Sequence, residues 1–134
     1  RGRGGRPLSV TLFTVGAGDN PVEQLLQADL RARGIPVEIR SRELGAFLAA
    51  ARAPRKEWDL LLAGIPGDAS LSQLPAMFAT ASAGGSLDYA GWHTPALDAQ
   101  FAAVRAARDA GALRDAWHAV QRELARDLPV AWLW

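Results

Sequence analysis

Hydrophobic and polar positions follow two different periods along the first half of this chain. Short stretches rich in β-branched or leucine side chains are typical of strands. Apolar residues spaced three and four positions apart between them are typical of helices. The order strand, helix, strand, helix, strand predicts parallel pairing through right-handed crossovers. The predicted strands are residues 8–15, 35–40 and 58–63, and the predicted helices lie over 21–33 and 44–51.

The predicted strand from Trp58 to Ala63 is apolar at consecutive positions from Leu60 onward. A strand that is apolar at every position, and not at every second one, is typical of the middle of a parallel sheet, where both faces are buried. The strand over 35–40 contains Pro36, which has no N–H to donate to a neighbouring strand. We therefore expect the 58–63 strand in the middle of the sheet and the 35–40 strand at its edge.

The second half of the chain is predicted to be mainly helical. A short helix is expected to begin close before Pro75, because proline is tolerated only in the first turn. An exposed loop over 81–91 and two amphipathic helices should follow it, and residues 129–134 should form a last strand. Asn20-Pro21 and Thr94-Pro95 are typical pairs of N-cap and first helical residue. The apolar stripes predicted for the first and last helices are Val22, Leu25, Leu26 and Leu30, and Leu113, Trp117, Val120 and Leu124.

Composition and charge narrow the classes of function. The 134 residues include 15 Lys and Arg against 14 Asp and Glu, which leaves a net charge of +1. With so small a net charge, the protein has no large electrostatic field that would attract nucleic acid or an anionic membrane. The sequence has no cysteine, which excludes disulfides and thiolate metal sites. Residues 1–6 are Gly and Arg only and are typical of a linker, so we expect one domain over 7–134, cut from a longer protein.

Candidate catalytic groups are sparse. Ser70 and Ser72 lack the Gly-x-Ser-x-Gly context of a nucleophile, and no acid pair lies on short facing strands. His93 and His118 are far apart and have no carboxylates at ligand spacing, so a zinc site is not expected. We therefore expect no enzymatic activity, no cofactor and no metal, with a small α/β enzyme as the weakest alternative.

The predicted ligand site is the exit of the 58–63 strand. In open α/β sheets, ligands bind outside the carboxyl ends of the strands, which is where the Gly-Pro-Gly-Asp turn should lie. Asp68 is expected either to contact the ligand or only to cap the helix that follows. Trp92 is expected either to line the cleft or to hold its loop on the core. The predicted ligand-binding residues are Gly64, Ile65, Pro66, Gly67, Asp68 and Trp92.

Four stretches occur in an order and at spacings that are similar to one family: Gly34–Ile39, Trp58–Gly64, Asp88–Asp98 and Leu128–Trp134. Together they resemble the second, C-terminal lobe of the extracellular solute-binding proteins of family 5. These are the oligopeptide-, dipeptide- and nickel-binding subunits of ABC importers. The resemblance implies an α/β fold, a periplasmic-binding-protein-like (type II) lobe with a mostly parallel central sheet flanked by helices and an edge strand at 35–40.

The resemblance also implies a function. A small solute, peptide-like or otherwise polar, would be held between this lobe and the first lobe of the same protein and delivered to a membrane permease. The protein would be periplasmic or extracellular, with a lipid anchor as an option. Asp68 falls where peptide-binding members hold the ligand's ammonium group, whereas Ile65-Pro66 replaces the tryptophan usual after the glycine. The alternative is a solute-sensing domain of a cytoplasmic transcriptional regulator, with no nucleic acid bound by this part.

Overall fold

The computed structural model describes residues 8–16, 20–65 and 71–133. Contacts within the chain group it into two compact units, Arg1–Pro66 and Gly67–Trp134. The first unit contains β1 (Val10–Val15), α1 (Pro21–Ala32), β2 (Val37–Arg42), α2 (Leu44–Arg52) and β3 (Leu60–Leu62). The second contains α3 (Gln73–Phe78), a 3₁₀ turn (Thr80–Ser82), α4 (Pro95–Ala106) and α5 (Ala110–Asp127). The predicted α/β class is confirmed.

The sheet of the first unit has three parallel strands in the order β2-β1-β3. Val10 is paired with Val37 of β2, and Leu12 is paired with Leu60 of β3. The prediction that the strand with Pro36 before it lies at an edge is confirmed. The prediction that the 58–63 strand lies in the middle is wrong for the described sheet, because β3 forms the other edge and Leu60 is 39% exposed.

The middle strand is β1, and it is buried on both faces. Leu12 and Thr14 point to one face and Phe13 to the other, and all three are buried. Threonine is found at the surface of proteins more often than in the core. Thr14 is nevertheless buried because its hydroxyl donates a hydrogen bond to the carboxylate of Glu23 on α1. A polar residue can therefore occupy a fully covered strand when its partner is covered with it.

Helix α1 begins at Pro21 and ends in a turn that needs glycine. Gly34 has a φ of +78°, and its N–H donates to the Arg31 carbonyl, while the Ile35 N–H donates to the Leu30 carbonyl. This is the Schellman arrangement, in which a left-handed residue satisfies the last carbonyls of a helix. The predicted helix and its glycine stop are confirmed to within one residue.

The apolar stripe of α1 is only partly as predicted. Leu25 was expected to face the core but is 64% exposed, whereas Glu23 is buried. Successive helical residues are rotated by 100°, so Leu25 lies about 200° around the helix from Glu23. The hydrogen bond between Glu23 and Thr14 turns this side of α1 to the sheet and leaves Leu25 on the opposite side.

The core of the second unit is formed by its three α-helices. Met77 and Phe78 of α3 are buried, and Pro75 lies in the first turn of that helix, as predicted. Phe101 and Leu97 of α4 are buried, and so is Val120 of α5. Leu113 was expected on the buried stripe but is exposed near the start of α5. Among the helices of the described residues, none combines the length and the apolar character that crossing a membrane would require.

The last predicted strand is not present in the described residues. Leu128 ends α5 with a left-handed backbone (φ 46°), and residues 129–133 are neither helix nor strand. Pro129 cannot donate a ladder hydrogen bond, and no described strand pairs with this segment. Trp132 is exposed, and Trp134 lies outside the described residues. The apolar alternation of the sequence therefore does not produce a strand here.

Candidate functional site

Three strand ends meet at the carboxyl edge of the sheet in the first unit. Because β1, β2 and β3 are parallel, their last residues, Val15, Arg42 and Leu62, lie at the same edge. Gly64 and Ile65 follow β3 there, outside any helix or strand, with Gly64 exposed and Ile65 half-buried. A Cβ built on Gly64 has no neighbouring atom within 4 Å, so packing does not require a glycine at this position.

Three of the predicted site residues, Pro66, Gly67 and Asp68, lie outside the described residues. Whether Asp68 contacts a ligand or caps the next helix stays a prediction. Gly64 and Ile65 belong to the first unit, and Trp92 belongs to the second.

Four polar side chains, of which the sequence singled out only Asn20, lie near the carboxyl edge of the sheet. The Thr14 hydroxyl donates to the Glu23 carboxylate over 2.5 Å, and both residues are buried. The Asn20 side-chain amide donates to the Ser41 hydroxyl of β2 over 2.8 Å. Asn20 occupies the N-cap position as predicted, but its side chain does not cap the helix. These bonds connect the start of α1 to β1 and β2, so they position the first turn of α1 on the sheet.

A sequence signal for this arrangement exists but is ambiguous. Asn20 and Glu23 have the spacing of a capping box, in which the acid at the third helical position bonds back to the N-cap N–H. The structure uses Glu23 for the Thr14 hydroxyl instead. Only the fold shows that Thr14 and Glu23 are neighbours, because that contact depends on how α1 is placed on the sheet.

Trp92 lies in the loop between the 3₁₀ turn and α4. Its ring packs edge-to-face on Phe78, with centroids 6.2 Å apart and planes at 81°. Phe78 is buried in the core of the second unit. This contact is the one expected if Trp92 holds its loop on the core. Contact of Trp92 with a ligand stays a prediction.

The same loop contains a buried carboxylate with three donors. Asp88 accepts hydrogen bonds from the Gly84 N–H at 2.7 Å, the Gly91 N–H at 3.0 Å and the His93 Nε2 at 3.2 Å. Burial raises the pKa of Asp88, but the hydrogen bonds from Gly84, His93 and Gly91 lower it by more. The net pKa lies below the ordinary range of an aspartate, so Asp88 is ionised near neutral pH.

The start of α4 continues this polar cluster. Thr94 is the N-cap, as predicted, and its hydroxyl accepts a hydrogen bond from the Leu97 N–H at 3.1 Å. Asp98 in the first turn of α4 accepts from the Thr80 N–H at 2.9 Å. The Thr80 side chain and then its N–H hold the pKa of Asp98 below the usual range. The 3₁₀ turn is thus fastened to the first turn of α4.

Within residues 8–16, 20–65 and 71–133, no group of three or more His, Cys, Asp and Glu side chains could hold a metal ion. His118 is exposed on α5, as the sequence indicated. The polar clusters of the described residues are arranged to fix turns and loops, since their donors and acceptors are paired with one another.

Three solved structures resemble this chain over most of its length. The periplasmic binding protein DppA from Helicobacter pylori, in complex with the peptide STSA, has a TM-score of 0.76 at 21% identity, covering 91% of this chain and 24% of DppA. The oligopeptide-binding protein AppA from Bacillus subtilis, in complex with a nonapeptide, has a TM-score of 0.76 at 18% identity, covering 96% and 27%. A nickel ABC transporter structure from Bacillus halodurans has a TM-score of 0.74 at 22% identity, covering 96% and 27%.

These likenesses show the fold. This chain has the fold of one part of the transport-associated binding proteins, which confirms the predicted type II periplasmic-binding-protein-like architecture. The chain spans about a quarter of the length of each of these proteins. No family model matches the sequence, and no curated protein matches it.

Proposed function

We propose that this chain is a solute-binding lobe of the substrate-binding protein of an ABC importer. The observation that carries the proposal is the structural likeness to peptide- and nickel-related binding proteins over at least 90% of the chain. Residues 7–134 act as one lobe after a linker over 1–6, and the solute lies between this lobe and another one of the same protein. The lobe binds its solute and does not transform it.

The proposed ligand contacts lie at the carboxyl end of β3, the position at which open α/β sheets bind ligands. Gly64 and Ile65 leave the strand there, and Asp68 follows within six residues of Leu62. The carboxylate of Asp68 favours a solute with an ammonium group, because a hydrogen bond between two charged groups is stronger than one between neutral groups. The solute class is a short peptide or another small polar molecule that carries a positive charge.

The partners and the location of the protein follow from the same proposal. The other lobe of the protein covers the solute, and a membrane permease receives it. The protein then works in the periplasm or outside the cell. The sequence that flanks this chain in its gene tests the location. A signal peptide with a lipobox cysteine supports import, whereas a helix-turn-helix supports the alternative, a solute-sensing domain of a cytoplasmic transcriptional regulator.

The division of contacts between two lobes gives the first binding test. The 134-residue chain should bind di-, tri- and tetrapeptides poorly in calorimetry, because half of the enclosing surface is missing. The intact polypeptide that includes this chain should bind members of the same panel at least a hundred times more tightly. This ratio corresponds to about 3 kcal/mol of additional binding free energy from the contacts of the other lobe. Sub-micromolar binding by the 134-residue chain alone would contradict the two-lobe proposal.

Asp68→Asn in the intact polypeptide tests the proposed site. Loss of a hydrogen bond to a charged group costs about 1.5–3 kcal/mol, which corresponds to about 10- to 150-fold weaker binding of a peptide with a free amino terminus. Asp29→Asn is the matched control, because Asp29 is an exposed carboxylate on α1. Amino-terminal acetylation of the peptide should weaken binding to the wild type but not further weaken binding to Asp68→Asn. Equal affinities of the Asp68 and Asp29 variants would show that Asp68 only caps a helix.

A further inference from the structure

Both ring nitrogens of His93 face hydrogen-bond acceptors. The Nδ1 atom lies 3.2 Å from the Phe78 carbonyl oxygen, and Nε2 lies 3.2 Å from the Asp88 carboxylate. The His93 side chain is only 16% exposed and that of Asp88 only 8%, so water has little access to replace these bonds. A carbonyl oxygen has no hydrogen to give, and neither does an ionised carboxylate. Each ring nitrogen must therefore carry a hydrogen to form its bond.

The form of histidine with hydrogens on both nitrogens is the imidazolium cation. A proton on Asp88 instead of the ring would reverse the second bond. The two backbone amides that donate to Asp88, from Gly84 and Gly91, oppose this alternative because both stabilise the ionised carboxylate. In this form the ring bridges the end of α3 and the loop that precedes α4.

We propose that His93 is a pH-sensitive clamp, whose protonated ring fastens the loop over residues 84–93 to the end of α3. When the ring loses a proton at rising pH, one of its two nitrogens faces an acceptor without a hydrogen, and one bond of the bridge is lost. The neighbouring Trp92 shares the loop with His93 and packs on the same Phe78, so the clamp also positions its ring.

Charged groups from two elements act on the ring. Asp88 of the loop interacts with it directly, and Asp98 in the first turn of α4 also feels its charge. Arg105, about two turns further along α4, acts on Asp98. The end of α3 contributes the neutral Phe78 carbonyl.

The protonation of the ring can be measured directly. The sequence has two histidines, and His118 is exposed on α5, so His118→Gln leaves a single imidazole and serves as the matched control. Long-range proton–nitrogen NMR of His118→Gln at pH 5.5 to 8.5 should show both His93 nitrogens protonated at pH 5.5 and one deprotonated at high pH. A ring with one bare nitrogen at pH 5.5 would overturn the proposal.

The effect of the clamp on the loop is measured by amide hydrogen exchange. After correction for intrinsic exchange, protection of the Gly84 and Gly91 amides in the wild type should fall about tenfold or more from pH 5.5 to 8.5, the scale of one lost charge-assisted bond. This range keeps Asp88 ionised throughout. His93→Gln should show low protection at every pH, and His118→Gln should follow the wild type. Protection in the wild type that does not change with pH would overturn the clamp, even if His93→Gln fails to fold.

Discussion

Replacing Thr14 by valine tests whether the buried pair of Thr14 and Glu23 determines how α1 packs on the sheet. Valine keeps the size, the branching and the strand preference of threonine, and it removes only the hydroxyl. The exposed fractions of Thr14 and Glu23 are 2% and 8%, so water cannot replace the lost donor without opening the structure. The expected result is a clear loss of stability without a change of fold.

The geometry sets the size of this loss. The distance of 2.5 Å between the Thr14 hydroxyl and the Glu23 side-chain oxygen is short for a hydrogen bond between two oxygens. Removing one partner of a buried hydrogen bond leaves the other partner unsatisfied, which costs about 1–3 kcal/mol. Because valine leaves no cavity, this bond is the main change, and we expect the free energy of unfolding to fall by about 2–3 kcal/mol.

Urea unfolding of the 134-residue chain, followed by far-ultraviolet circular dichroism at pH 7, measures the change. Thr11→Val is the matched control on the same strand, because the hydrogen bond at Thr11 comes from its backbone N–H and not from its hydroxyl. It should change stability by no more than about 0.5 kcal/mol. The double variant Thr14→Val with Glu23→Leu should recover part of the loss, since two apolar partners leave no unsatisfied polar group. Equal stabilities of the Thr14 and Thr11 variants would refute the reasoning.

Two further substitutions test the helix end of the first unit and the core of the second. Gly34→Ala should lower the free energy of unfolding by about 1 kcal/mol. The left-handed backbone is the only cause, because the added Cβ would meet no atom within 4 Å. Gly64→Ala is the control and should be near neutral, because Gly64 has no positive φ, and equal effects of the two substitutions would contradict the argument from φ. Phe101→Ala should cost about 3–5 kcal/mol because the Phe101 ring on α4 is buried. Leu113→Ala at an exposed site of α5 should cost less than about 1 kcal/mol. Thermal or urea unfolding measures both, and a mild Phe101 variant would show that α4 and α5 pack loosely.

Local patterns in this chain predicted which elements form and in what order, because each depends on a few adjacent residues. Pro36 placed β2 at an edge, and Thr94 was recognised as an N-cap from its own neighbours. The position of a strand within the sheet depends instead on which strands pair with it. The apolar run of β3 therefore predicted the middle position, although β1 occupies it.

The polar contacts that fix the loops were beyond local patterns for a related reason. Asp88 and His93 are five residues apart, but the bridge also needs the Phe78 carbonyl, fifteen residues before His93. In the sequence, His93 has no carboxylates at the spacing of metal ligands, so its role could not be predicted. Its role depends on two acceptors that face it only in the folded chain.

The two buried carboxylates, Glu23 and Asp88, carry out the same task in the two units. Each accepts hydrogen bonds from groups that lie elsewhere in its unit, and each thereby fixes a segment that local sequence preference leaves open. Glu23 sets the rotation of α1 on the sheet, and Asp88 fixes the loop that carries Trp92. Since a buried polar group without its partners costs about 1–3 kcal/mol, both segments have few alternative positions. Substitutions at Glu23 or Asp88 should therefore displace loops without removing any of the proposed ligand-contact residues. Such a substitution should lower both stability and affinity, whereas a substitution at Asp68 that removes a ligand contact should lower affinity. Measuring stability beside affinity separates the two causes.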